Sequence, residues 1–166
     1  MVLRAVGVRG GLTVLDFGCG SGNYSIPAAK IVGEKGKVYT LDKDRWKLNK
    51  LMERADSMGL KNIEKIETAG DVQIPLADAS VDLVLLYDVL HHYYFTSTEQ
   101  RELLREVYRI SKPNAIVSVY PKHIEPHELT KAMEEAHLYL KRKHSVTLLV
   151  HDDNLEEGEI YNFAKE

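Results

Sequence analysis

Four acidic strand ends and one run of alternating glycines hold most of the chemistry in this sequence. The run is Asp16-Phe17-Gly18-Cys19-Gly20-Ser21-Gly22, and it follows a short apolar segment from Leu12 to Leu15. A carboxylate followed by three alternate glycines suits a tight loop that lets a ligand approach the backbone where a Cβ would collide. A helix opening after such a loop adds free N–H groups to the same space. Further along stand Asp42, Asp71 and Asp88, each just after an apolar or alternating stretch, and Asp88 is followed by His91 and His92. Carboxylates only accept hydrogen bonds, so this set suits hydroxyls, amines and cations. A dinucleotide fingerprint needs Gly-x-Gly-x-x-Gly, and Asn23 stands at its third glycine. The chain has no Gly-Lys-Ser/Thr phosphate loop after these glycines.

The elements that must position these groups alternate regularly. The pattern predicts strands over 13–17, 37–41, 63–67, 81–87 and 115–120. Helices are predicted over 23–32, 44–58, from Ser97 onward, and over 126–140. Ser97 with Gln100 reads as a capping box, and Asp44 as the cap of the second helix. The run over 81–87 is almost wholly apolar, which suits a central strand covered on both faces. Two last strands, over 145–151 and 159–165, flank Asp152-Asp153 and read as a hairpin. The fold class expected is α/β, a doubly wound and mostly parallel sheet with helices on both faces. In such a sheet, ligands bind beyond the carboxyl ends of the strands, where Asp16, Asp42, Asp71 and Asp88 all fall.

The glycine run resembles motif I of the class I S-adenosylmethionine-dependent methyltransferases, Asp/Glu-x-Gly-x-Gly-x-Gly, complete from Asp16 to Gly22. The segment Ile74-Pro75-Leu76-Ala77-Asp78 is similar to a further motif of that family. The resemblance extends over the chain after residue 11. It implies seven strands in the order 3-2-1-4-5-7-6, with strand 7 antiparallel, and S-adenosyl-L-methionine as cofactor. It also assigns roles. Asp16, with the backbone of Gly18, Cys19, Gly20 and Gly22, would hold the methionine part and ribose. Asp42 would take the ribose hydroxyls, and Lys43 would flank the adenine. Asp71 and the Val72 N–H would bind the adenine, and Tyr87 and Asp88 would lie along the methionine part. His92 is the candidate general base, since imidazole titrates near neutrality.

The same resemblance implies helices ahead of motif I that cover the cofactor, whereas residues 1–11 hold little more than one helical turn. A second subunit, a partner or the acceptor itself is therefore expected to complete the acceptor side, over Tyr93, Tyr94, Phe95 and Tyr120. Asn/Asp-Pro-Pro-Tyr/Phe is absent after the fourth strand, which argues against planar amide or adenine nitrogens as acceptors. A catalytic-cysteine scheme, as in cytosine-C5 or arsenite methylation, fails for want of cysteines, since the chain has one. A small-molecule acceptor is the leading expectation. Transfer to a protein or RNA, and cofactor binding without turnover, stand beside it.

The bulk numbers agree with one domain over 1–166. The chain has 166 residues, 44% of them hydrophobic, and a net charge of −3. That balance argues against a nucleic-acid partner. A lone cysteine suits a reducing compartment, so cytoplasmic location is expected, and no apolar run is long enough to span a membrane. His123 and His127, four apart, read as solvated or capping side chains rather than metal ligands. His123 nonetheless follows the fifth strand, on the cofactor side.

Overall fold

The computed structural model describes residues 2–149 and 154–166. Its elements are α1 (Val2–Ala5), β1 (Thr13–Phe17), α2 (Ser25–Val32), β2 (Lys37–Asp42), α3 (Arg45–Ser57), β3 (Ile63–Glu67), β4 (Val81–Tyr87), α4 (Ser97–Ile110), β5 (Ser111–Tyr120), α5 (Pro126–Glu135), β6 (Leu138–Leu149) and β7 (Leu155–Lys165). The strands form one sheet in the order β3-β2-β1-β4-β5-β7-β6. Strands β1 to β5 pair in parallel, and β7 runs antiparallel to both β5 and β6. Order and direction are those implied by the resemblance.

Strand β4 shows why its sequence lacks alternation. Val84 and Leu86 join one core with Leu103, Leu104 and Val107 of α4 and Leu129 and Met133 of α5. Leu83 and Leu85 point into a second core with Leu3 of α1, Ile26 and Ala28 of α2, and Leu48 and Leu51 of α3. A strand buried on both faces needs apolar residues at every position.

Several boundaries differ from the expectation. Helix α4 is capped one residue earlier than Ser97. Thr96 Oγ1 accepts from Glu99 N (3.2 Å), and Glu99 Oε2 accepts from Thr96 N (2.7 Å). An ionised glutamate in the first turn also meets the helix dipole, which Gln100 cannot do. Gln100 instead donates to Phe95 O (3.1 Å). Helix α5 stops at Glu135, because His137 turns left-handed (φ +59°) and Leu138 already pairs with Lys165. Strands β6 and β7 are therefore longer than the apolar pattern shows. Their added length includes Arg142 and Lys143, which pair with Asn162 and Tyr161 and give no hydrophobic signal, and Lys141, which falls at a register shift. His151, Asp152 and Asp153 of the expected hairpin lie outside the described residues. Strand β5 begins at Ser111 rather than at 115, with Asn114 left-handed (φ +63°) beside a register shift between Val81 and Leu83.

Candidate functional site

The carboxyl ends of β1, β2 and β4 surround a cleft of about 280 Å³. Phe17, Leu41, Val89 and Phe95 make its apolar wall, while Asp42, Asp44, Asp71 and Asp88 supply carboxylates, against the two amines of Lys43 and Lys47. The glycine loop is fastened to β2: Gly18 N and Cys19 N both donate to Leu41 O (2.8 and 3.1 Å). Asp42 then reaches across, its Oδ2 accepting from Gly20 N (2.8 Å) and its Oδ1 from Asp44 N (2.9 Å). Asp44 caps α3 by accepting from Lys47 N (3.0 Å), as its position in the sequence suggests. Gly20 has φ +53°, and a Cβ built there would meet no heavy atom within 4 Å, so its outer side is open.

Of the residues assigned by resemblance, the cleft brings together Gly18, Gly20, Asp42, Lys43, Asp71, Tyr87 and Asp88. Asp16, Cys19, Gly22, Val72 and His92 stand outside its wall. Asp16 is buried and accepts from Ser25 Oγ (2.5 Å). Cys19 is buried, and that burial pushes its thiol pKa up, so it is no nucleophile. Val72 packs against the α4-side core. His92 is exposed, whereas its neighbour His91 is buried. The expected apolar cover surface also divides. Tyr93 and Tyr94 are 78% and 52% exposed, but Phe95 and Tyr120 are buried. Tyr120 donates its hydroxyl to Glu156 (3.0 Å) instead.

Sequence reasoning did not single out Phe17, Leu41, Thr68 or Lys47. Phe17 is an unspecified position of the glycine motif, and Thr68 directly follows β3, so strand-end position alone is the signal for both. The loop after β3 is held by Arg109 of α4. Its guanidinium donates to Ile74 O (2.7 Å), Leu76 O (2.8 Å), Asp78 (2.7 Å) and Glu106 (2.8 Å). Glu106 in turn accepts from Ile74 N (2.9 Å). The segment 74–78 is thus the anchor that keeps Asp71 at the cleft.

Burial lifts the Asp16 carboxyl from 3.8 to about 6, against the lowering effect of its Ser25 bond. The folded state therefore holds the proton more tightly than the unfolded chain. The stability this contributes is full below the unfolded value and is lost as pH rises through about 6. That loss is on the order of 3 kcal/mol. Asp16→Asn is expected to remove it. Urea unfolding of both proteins from pH 4 to 7.5 reads the difference, and parallel pH curves would overturn the assignment.

A family model for a methyltransferase domain matches residues 9–165. The chain belongs to the methyltransferase-domain family. This methyltransferase domain is 31% identical over 115 residues to the demethylmenaquinone methyltransferase of Geobacillus stearothermophilus, covering 69% of this chain and 47% of that protein. It is 32% identical over 108 residues to the ubiquinone/menaquinone biosynthesis C-methyltransferase of Escherichia fergusonii, covering 64% of this chain and 41% of that protein. The chain thus spans less than half the length of these curated relatives. A crystal structure of a SAM-dependent methyltransferase from Aquifex aeolicus superposes with a TM-score of 0.77 at 28% identity, covering 99% of this chain and 88% of that one. Among the described residues no helix of this methyltransferase domain is long and apolar enough to cross a membrane.

Proposed function

We propose that this chain binds S-adenosyl-L-methionine in the cleft and transfers its methyl group to a small-molecule acceptor in the cytoplasm, acting as one domain over 1–166. The observation that carries this reading is Asp42, which fastens the Gly20 loop while standing in a cleft with four aspartates and two lysines. A cationic sulfonium ligand suits that wall, whereas a pyrophosphate would be repelled by it. The open side of Gly20 gives the ligand backbone access.

When bound, the cofactor supplies a methyl group already activated on sulfur. The chain's own work is to bind, orient and keep water out. Asp42 offers two oxygens to the ribose hydroxyls. Asp71 and the Val72 N–H serve the adenine, with Lys43 beside it. Tyr87 and Asp88 flank the methionine part, and buried Asp16 stands behind the loop as a counter-charge for its ammonium. Phe17, Leu41, Val89 and Phe95 make the dry wall.

Isothermal titration with S-adenosylmethionine, S-adenosylhomocysteine, NAD and NADP tests the reading. Binding of the first two and not of the dinucleotides is expected, and the reverse pattern sinks it. Reduced demethylated quinones are the first acceptors to assay, because the curated relatives carry quinone methylation in their names.

A further inference from the structure

Beside the β4–β5 end of the cleft, two imidazoles face one carboxylate oxygen of a residue that lines it. Asp88 directly follows β4, and its backbone is left-handed (φ +56°). Such backbone is uncommon outside glycine and gathers at functional sites. The Asp88 amide still donates to Tyr120 O (3.1 Å), which ties this turn to the end of β5. Asp88 Oδ1 lies 3.5 Å from His91 Nε2 and 3.6 Å from His123 Nε2. The two rings stand 5.0 Å apart at 78°.

The two histidines are not equivalent. His91 is buried, and its Nδ1 accepts from Tyr93 N (3.3 Å), which assigns its proton to Nε2, facing Asp88. Burial lowers its pKa, so it stays neutral near pH 7. The His123 side chain is 42% exposed and turns Nε2 toward the same carboxylate. A proton held on that nitrogen leaves Nδ1 as the atom able to accept another. Asp88 itself lines the cleft, and of the two exposed histidines outside its wall, His92 and His123, it is His123 that stands against Asp88 Oδ1.

We propose that His123 takes the acceptor's proton on Nδ1 during methyl transfer, with Asp88 as the positioning residue that holds its ring. The inference rests on the cofactor reading above. The acceptor X–H gives its proton to His123, and the electron pair left on X forms the new bond to the methyl carbon. The pair of the broken carbon–sulfur bond stays on sulfur. The charged and titratable groups around His123 are Asp88 from the end of β4, His91 and Tyr93 from the loop after it, and Glu156 of β7, which is paired with Lys122 (2.7 Å).

Long-range proton–nitrogen spectra of the labelled protein, saturated with S-adenosylhomocysteine, read the tautomer and titration of each ring. His123 is expected as the Nε2–H tautomer. That single tautomer should be lost in Asp88→Asn and return in Asp88→Glu. An Nδ1–H tautomer, or a tautomer indifferent to Asp88→Asn, overturns the proposal. On an acceptor the wild type methylates, His123→Gln should lower kcat by roughly 10² to 10⁴ and remove the acid limb of its pH profile. The Kd for S-adenosylhomocysteine should stay within about twofold, because His123 lies outside the cleft wall. Full kcat in that variant overturns the proposal. If the wild type does not bind S-adenosylhomocysteine, the cofactor reading fails instead, and the His123 tautomer is still read in the ligand-free protein.

Discussion

Gly22→Ala is expected to destabilise the fold by about 2–4 kcal/mol, the sum of a backbone cost and an overpacking cost. Gly22 has φ +87°, a conformation that a Cβ disfavours. A Cβ built there would stand 2.6 Å from Leu51 Cγ and 2.7 Å from its Cδ1. Leu51 is fully buried in the core beneath α3, and its Cγ is not a flexible tip that can swing aside. The added methyl must therefore shift α3 or the start of α2, where Ile26 N donates to Gly22 O (3.2 Å). Urea unfolding reads the effect as a lower midpoint. A midpoint unchanged by Gly22→Ala overturns the account. In a double-mutant cycle with Leu51→Ala, the overpacking part should disappear and the backbone part should remain.

The contrast with Gly20 separates two uses of one motif. Gly20 is also left-handed, but its would-be Cβ meets open space. Gly22 is a packing glycine, which explains why it lies outside the cleft wall while Gly18 and Gly20 lie on it. Spacing alone cannot divide the three in this way, because the partner that forbids a side chain at Gly22 sits on α3, 29 residues further along.

What was legible in the sequence follows the same physical line. The run of β4 and the acidic strand ends were visible because burial and backbone geometry restrict residue types at those positions, while the seven-strand order came with the family resemblance. The long hairpin strands were not visible, because Arg142 and Lys143 are held by main-chain pairing that leaves no mark on side-chain choice. The residues that the resemblance assigns to the cofactor were readable as motifs, and the cleft brings Asp42, Asp71 and Gly20 together. The acceptor half was not readable. His123 stands 35 residues from Asp88 in the chain, and only the parallel pairing of β4 with β5 brings the two together. His92 drew notice by its place after Asp88, but the turn at Asp88 leaves it exposed and buries its neighbour. Val72, expected to serve the adenine, turns its side chain to the core; this leaves its N–H, and not its side chain, as the group to test.

Asp42→Ala is expected to weaken S-adenosylhomocysteine binding by about 3 kcal/mol, roughly a hundredfold or more in Kd. Two losses add in this variant. The carboxylate accepts from Gly20 N and Asp44 N, so its removal leaves two N–H groups without that partner and frees the loop over the cleft. Each carboxylate oxygen also keeps a further lone pair, and these are the acceptors assigned to the ribose hydroxyls. Asp42→Asn retains one acceptor oxygen but turns an amide N–H toward one of the two backbone donors, so a loss of roughly tenfold is expected. Titration calorimetry on both variants, with melting curves to confirm folding, measures the two steps. Amide exchange at Gly20 separates the causes: it should accelerate in the ligand-free Asp42→Ala protein if the latch is lost. Kd values within about threefold of wild type for both variants would end the assignment of Asp42 to the ligand, since a double acceptor at the cleft wall cannot be removed at so small a cost.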